Sequence, residues 1–433
     1  MKMQRNRGSL RLPLSLWGHL SSDKHVSDRL KLRLRSVNSP EEAFEVWSAH
    51  HKELAKCRFL ISRSGPSVFR MPSGGRVGHA RVLSLFAGES LFLLDNDIWR
   101  NMRKAQSPRI GVDYIISFDA NAASYLPKLF QGSQDKVYQD FRSLIQHFGG
   151  RLNFDILPYL HENAEAVTGP ERKRIFETVV AAHRLASLDL TRLAGSGELV
   201  SARTEQELTN LAARELGHFQ RWLTKGGLYD DLRWRHQAMH AQILKIALLH
   251  IEHPQRESAA KNLRSFIEFQ HERLQVLLVD TFTLAWEWFS NGPRSAICRR
   301  LQKNAHHLVE TARNISWDLT HMLHLRQQVI FPTRTRFIIP YFLTFDQPLA
   351  DLLELCALKS CLISPDFVYP LIYPQHDPEN LLAAALPRDD AWNEKYLSWH
   401  AHAERSADRG DKGRPPLEGL LTELERALTA YER

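Results

Sequence analysis

Two stretches far apart in this chain share one pattern of apolar and polar positions. In 112–126, VDYIISFDANAASYL, the apolar run Val112, Tyr114, Ile115, Ile116 and Phe118 stops at Asp119. Ala120 and Asn121 then lead into a segment that suits a helix. Such a run predicts a buried parallel strand that delivers a carboxylate at its C-terminal end. The stretch 337–353, FIIPYFLTFDQPLADLL, repeats the shape: an apolar run, Asp346, then a helix. A third run, 91–94, ends on Asp95 and Asp97. It ranks below the other two, because Ser107 and Pro108 arrive before a long helix can form behind it.

Helical spacing dominates elsewhere. Val137, Phe141, Leu144, Ile145 and Phe148 predict a helix over 134–148, stopped by Gly149 and Gly150. Residues 152–160 then turn into another helix, whose early residues include Glu162 and Glu165. From 171 to about 311 nearly everything reads as helix, with clear segments at 205–223, 234–251, 259–278 and 296–311. No repeat period emerges. The helix over 317–328 carries Asp318 and His321 one turn apart, and Pro332 ends it. A strand is expected at 338–345 and a short one at 359–364. Residues 365–400 look irregular, 404–416 look like a linker, and 417–431 read as a terminal amphipathic helix. Near the start, Asn38-Ser39-Pro40-Glu41-Glu42 opens a helix, and 65–78 is loop or hairpin. The alternating 29–36, RLKLRLRS, predicts a strand with one charged face, and Pro127 should break the helix after Asp119. The resulting layout is α/β. It has a mixed N-terminal extension (1–110), two halves of a core (111–170 and 312–400), a helical insertion (171–311) and a C-terminal linker and helix (401–433).

The 433 residues are 43% hydrophobic and 24% charged, values ordinary for a folded protein. The net charge of +8 tilts the partner towards a polyanion, nucleic acid first among them. Four scattered cysteines form no metal-binding spacing and suit free thiols in the cytoplasm. The basic N-terminus lacks the apolar core of a signal peptide. The most apolar stretch, 276–289, carries Asp280 and Glu287, so no membrane partner is expected.

Asp119, Glu162 or Glu165, Asp318 and Asp346 form the candidate chemistry. Strand ends of a parallel sheet converge on one crevice, and the two helices could line it. Carboxylates gathered in one place repel unless a cation neutralises them, and hard oxygen donors select Mg²⁺ or Mn²⁺. Other pairings carry less. With 21 histidines in the chain, steps such as His236/His240 arise by chance, and Glu268/His271 has no second copy. The tryptophans at 222, 234, 286, 288 and 317 suit helix packing.

The layout resembles the PIN-like nuclease domains. The resemblance rests on Asp119-Ala120-Asn121 after the first strand, Glu162 on a following helix, Asp318 in SWDLTHM, and Thr344-Phe345-Asp346 after the later strand. It implies a Rossmann-like parallel sheet interrupted by the helical insertion. It also implies a metal-dependent ribonuclease that holds Mg²⁺ or Mn²⁺ on Asp119, Asp318 and Asp346, with Glu162 completing the catalytic set. Asn121 and Thr344 would support the ligands. His321, Arg334 and Arg336 could meet the substrate phosphate. By family analogy such an enzyme could act as a toxin or a phage-defence effector, alone, as a homo-oligomer or under a regulatory protein. Two alternatives stand beside it. One is a PIN-like fold kept only for binding RNA or a protein. The other is a metal-independent ribonuclease of HEPN type, for which Arg300 and His306 have the spacing.

Overall fold

The computed structural model describes residues 26–432, except 64–75, 107–109, 132–134, 149–152, 226–227, 296, 298, 304, 331–335, 366–369, 387–388, 399, 402–403 and 406–412. The expectations for Gly149-Gly150, Pro332, Arg334 and most of the 65–78 loop lie outside these residues. The Arg336 side chain does too, although its backbone begins a strand.

The chain is mixed α/β and carries two sheets. The strands are β1 (Arg58–Arg63), β2 (Arg76–Val77), β3 (Ala80–Ser84), β4 (Ser90–Asp95), β5 (Gly111–Phe118), β6 (Asn153–Asp155), β7 (Arg336–Thr344), β8 (Leu358–Ile363) and β9 (Leu371–Pro374). One sheet runs β4-β1-β8-β9 and is antiparallel throughout. The other runs β2-β3-β7-β5-β6, and its β7, β5 and β6 are parallel. Strands from the first hundred residues therefore pair with strands from the last hundred in both sheets. Around Leu358 the chain also bonds to the segment after β3. Leu358 N–H donates to Leu85 O at 2.9 Å, and Ala87 N–H donates to Leu358 O at 3.0 Å.

The centre of the mixed sheet positions the site. β5 and β7 are in register from Gly111 against Arg336 to Phe118 against Leu343. They therefore end at the same level, and Asp119 N–H closes the ladder on Leu343 O at 3.2 Å. Proline is unusual inside a central strand, because it cannot donate to the ladder. Pro340 is tolerated for a geometric reason. The Leu343 carbonyl faces β5, and strand groups alternate, so the Pro340 nitrogen faces the β3 side. Pairing with β3 covers only Tyr341 to Thr344, so no donor is needed there.

Several sequence expectations change. Residues 29–36 are not a strand: Asp28–Arg35 is a helix capped by Ser27. Leu30 and Leu34, both buried, satisfy an alternating pattern and a four-residue helical step equally; burial of Lys31 (3% exposed), with Leu32 only partly buried, breaks the alternation and fits the helix. Residues 152–160 begin with β6 before the Leu157–Glu162 helix starts. The helix expected at 296–311 starts only at Leu308 and runs to Gln328. The expected irregular 365–400 contains β9 and helices at Pro378–Ala385 and Asp390–Leu397. The 259–278 helix stops at Phe269, passes through a π-turn at Gln270–Leu274, and ends on Gln275 at positive φ. Other expectations hold: the helix opened by Ser39-Pro40 runs Pro40–His50, and the terminal helix runs Glu418–Thr429. No helix among the described residues is long and apolar enough to cross a membrane.

Candidate carboxylate site

Asp119 leaves β5 and caps the short Ala120–Ser124 helix: its Oδ1 accepts the Ala122 N–H. Its Oδ2 accepts the hydroxyl of Thr344 at the end of β7. The carboxyl is buried, at 5% exposure. Burial pushes its pKa up to about 7, with the nearby Asp346 charge adding to the rise and the two hydrogen bonds opposing it.

Asp346 behaves differently. It stands at the N-cap of the Gln347–Leu355 helix, yet its side chain makes no capping bond. One oxygen, Oδ1, is buried with no hydrogen-bond partner. The other lies 3.7 Å from the Arg300 guanidinium. The ordinary structural explanation for a strand-end aspartate, helix capping, thus accounts for Asp119 in part and for the Asp346 side chain not at all.

Glu162 ends the Leu157–Glu162 helix, while Glu165 is exposed. Burial raises the Glu162 pKa to about 7, with the Asp119 charge adding to it. Asp318 lies on the Leu308–Gln328 helix, which packs against β7. Its pKa is raised well above the usual carboxylate range by burial, and further by Asp346, Glu162 and Asp119, while Arg300 opposes. The four acids therefore face one another from four separate elements. Both helical acids are hemmed in by protein but stay within solvent reach, which describes the wall of a cleft.

Asp155, which the sequence reading passed over, holds this arrangement. It ends β6 and is saturated with donors. Its Oδ1 accepts Leu157 N–H at 2.9 Å. Its Oδ2 accepts Ser117 Oγ at 2.8 Å and Gln328 Nε2 at 2.6 Å, and lies 2.9 Å from His324 Nε2. Burial would raise its pKa, but His324, Leu157 N–H and Ser117 outweigh that and hold it below the usual range. One carboxylate thus ties β6, β5, the Glu162 helix and the Asp318 helix together. Its signal was the short Asn153-Phe154-Asp155, the same run-to-acid shape in only three residues.

His321 follows Asp318 by one turn, as expected, but at 2% exposure it sits behind the cleft wall and away from any surface a phosphate could reach. Its Nε2 is 4.0 Å from Glu162 Oε2. Burial drives its pKa down to about 3, so the ring is neutral. Asn121 does not support the acids: it is exposed, and among the described residues no bond joins its side chain to them. A helix turns about 100° per residue, which carries Asn121 away from the Asp119 side.

The rival acids have other work. Asp95 caps the Asn96–Arg103 helix through Ile98 N–H at 2.8 Å and belongs to the antiparallel sheet. Glu268 accepts Trp392 Nε1–H at 2.7 Å. His236 stacks on Trp317 at 3.8 Å.

The donor set, carboxylates with an unpartnered Asp346 oxygen, fits a hard divalent cation in chemistry. Among the described residues no three histidine, cysteine, aspartate or glutamate side chains are close enough to hold an ion as they stand. An ion would have to draw the carboxylates inward. Comparison with family models, curated proteins and solved structures finds no match to this chain.

Proposed function

We propose that the protein is a metal-dependent ribonuclease built on a PIN-like core. The observation that carries this reading is that the charges of Asp346, Glu162 and Asp119 all act on Asp318, with Asp346 left uncapped and half-unpartnered. Most side chains that serve only structure are hydrogen-bonded when buried.

Asp119, Asp318 and Asp346 would hold Mg²⁺ or Mn²⁺, with Glu162 completing the set. A bound ion supplies charge neutralisation, polarisation of a phosphoryl oxygen and a lowered pKa for an attacking water. The chain's own part follows from its geometry. Thr344 fixes the Asp119 carboxyl on one side and the Asp346 backbone on the other. Glu162, with its pKa near 7, can take a proton from an attacking water and return it. Burial of the acids keeps competing water low, so charge interactions inside the cleft are strengthened.

The test is cleavage of a labelled RNA by the purified full chain with Mn²⁺, with EDTA, and in Asp346→Asn and Glu162→Gln variants that keep their fold. Activity that needs Mn²⁺ and both acids is expected. Equal cleavage in EDTA would overturn the metal reading and favour the Arg300/His306 alternative. The open spacing of the acids favours a second reading, a PIN-like fold that only binds RNA or a protein. It predicts no Mn²⁺ binding by calorimetry and no cleavage under any condition.

A further inference from the structure

The segment between the Val279–Asn291 and Leu308–Gln328 helices has helical spacing in its sequence but is not an α-helix. Its composition is one-sided. From 292 to 307 there are three arginines, a lysine and two histidines, and no aspartate or glutamate. Burial sorts these residues cleanly. Ile297, Leu301 and Leu308 are sunk into the core at 5%, 0% and 0% exposure. Arg294, Arg299, Arg300, Lys303, His306 and His307 are all exposed. The apolar residues anchor an arch whose outer surface carries Arg294, Arg299, Arg300 and Lys303 as its cations, while His307 lies 3.7 Å from Glu310.

The arch stands at the edge of the carboxylate cleft. Arg300 lies 3.7 Å from Asp346 and its charge also reaches Asp318. Arg294 and Arg299 have no ion-pair partner among the described residues, so holding the fold together through a surface ion pair does not account for them. Exposed cations with no acid beside them keep a strong field, which attracts polyanions over a distance of about 8 Å at physiological salt.

We propose that the 294–307 arch is the phosphate-docking surface of this site, binding the backbone of single-stranded RNA and leading it over Arg300 to the Asp346 edge of the cleft. The inference rests on the nuclease reading for its choice of RNA. A single strand is the fitting occupant because the acids are recessed: a flexible backbone can dip to them, whereas a duplex is too stiff and wide to enter. Arg300 then exchanges Asp346 for an incoming phosphate. The other cations contribute affinity that carries no sequence information.

The experiment uses the full chain in EDTA and a fluorescein-labelled single-stranded RNA with 2′-O-methyl sugars, so that neither metal-dependent nor 2′-hydroxyl cleavage interferes. Arg294→Gln, Arg299→Gln and Lys303→Gln are combined, leaving Arg300 in place. All three are exposed, and Arg299→Gln alone serves as the milder variant. Expected are binding weaker by on the order of tenfold and a salt slope flatter by about 0.7 for each phosphate that is no longer neutralised. Unchanged affinity and slope in the triple variant would overturn the proposal. Failure of the two readings is separable. Arch-dependent binding by a chain that never cleaves RNA with Mn²⁺ removes the nuclease and keeps the arch. Mn²⁺ cleavage with the same KM in the triple variant does the reverse.

Discussion

Thr344 donates its hydroxyl to Oδ2 of Asp119, 225 positions away in the chain, while its oxygen accepts the N–H of Asp346 at 2.9 Å. One hydroxyl therefore couples the two strand-end acids. Thr344→Val keeps the shape and removes both bonds, leaving a buried carboxylate oxygen and a backbone donor unsatisfied. A loss of about 1 to 3 kcal/mol in chemical denaturation is expected, with Thr344→Ser restoring most of it. Equal stability of the valine variant would mean that the coupling is not made.

Charge repulsion in the cleft should cost the ion-free protein stability. Asp318 is the acid that all three others press upon. Asp318→Asn removes that repulsion at nearly constant volume. In EDTA at pH 8 the variant should melt a few degrees higher than the parent, yet lose the stabilisation that Mn²⁺ gives the parent. A lower melting temperature with the Mn²⁺ response intact would contradict both halves.

The pH dependence has a definite sign. Asp119 and Glu162 titrate near 7 in the folded chain, against about 4 for free carboxyls. The folded state binds more protons between those values. Their contribution to stability is thus fully present below about pH 4 and is lost as pH rises through 7. Thermal melts in EDTA should show this decline, and Glu162→Gln should flatten it. Added Mn²⁺ should stabilise more at pH 8 than at pH 5, because protons and the ion compete for the same oxygens. A Mn²⁺ effect independent of pH would remove the carboxylates as ligands.

Asp155 acts by positioning. Asp155→Ala abandons Leu157 N–H, Ser117, Gln328 and His324 together. The expected cost is on the order of 3 kcal/mol, from several buried groups losing a charged acceptor. Asp155→Asn should recover part of it. In the asparagine variant the Mn²⁺ concentration needed for half-maximal cleavage should rise, while the pH profile set by Glu162 keeps its shape. A changed pH profile would instead place Asp155 among the reacting groups.

The two apolar runs that end on Asp119 and Asp346 were legible because a buried parallel strand is apolar on both faces, and the change at its end is abrupt. Asp318 and His321 were legible as one helical turn. β6 was not, since three residues are too short for a period. The helix expected at 296–311 failed for a different reason. Its apolar residues fall at helical spacing, but they serve as anchors for an arch, and spacing alone cannot tell the two apart. Asp155 was missed along with β6.

The sequence by itself determined which segments are strands or helices where a period runs long enough, and that each central strand hands over to a helix through an acid. Only the tertiary structure decided that Asp119 caps and Asp346 does not, that Glu162 rather than Glu165 faces the cleft, and that His321 is buried behind it. The reason is physical. Local pattern reports which face of an element is apolar, whereas the pKa of a carboxyl and the partner of a hydroxyl depend on groups hundreds of residues away, brought near only when the parallel strands pair.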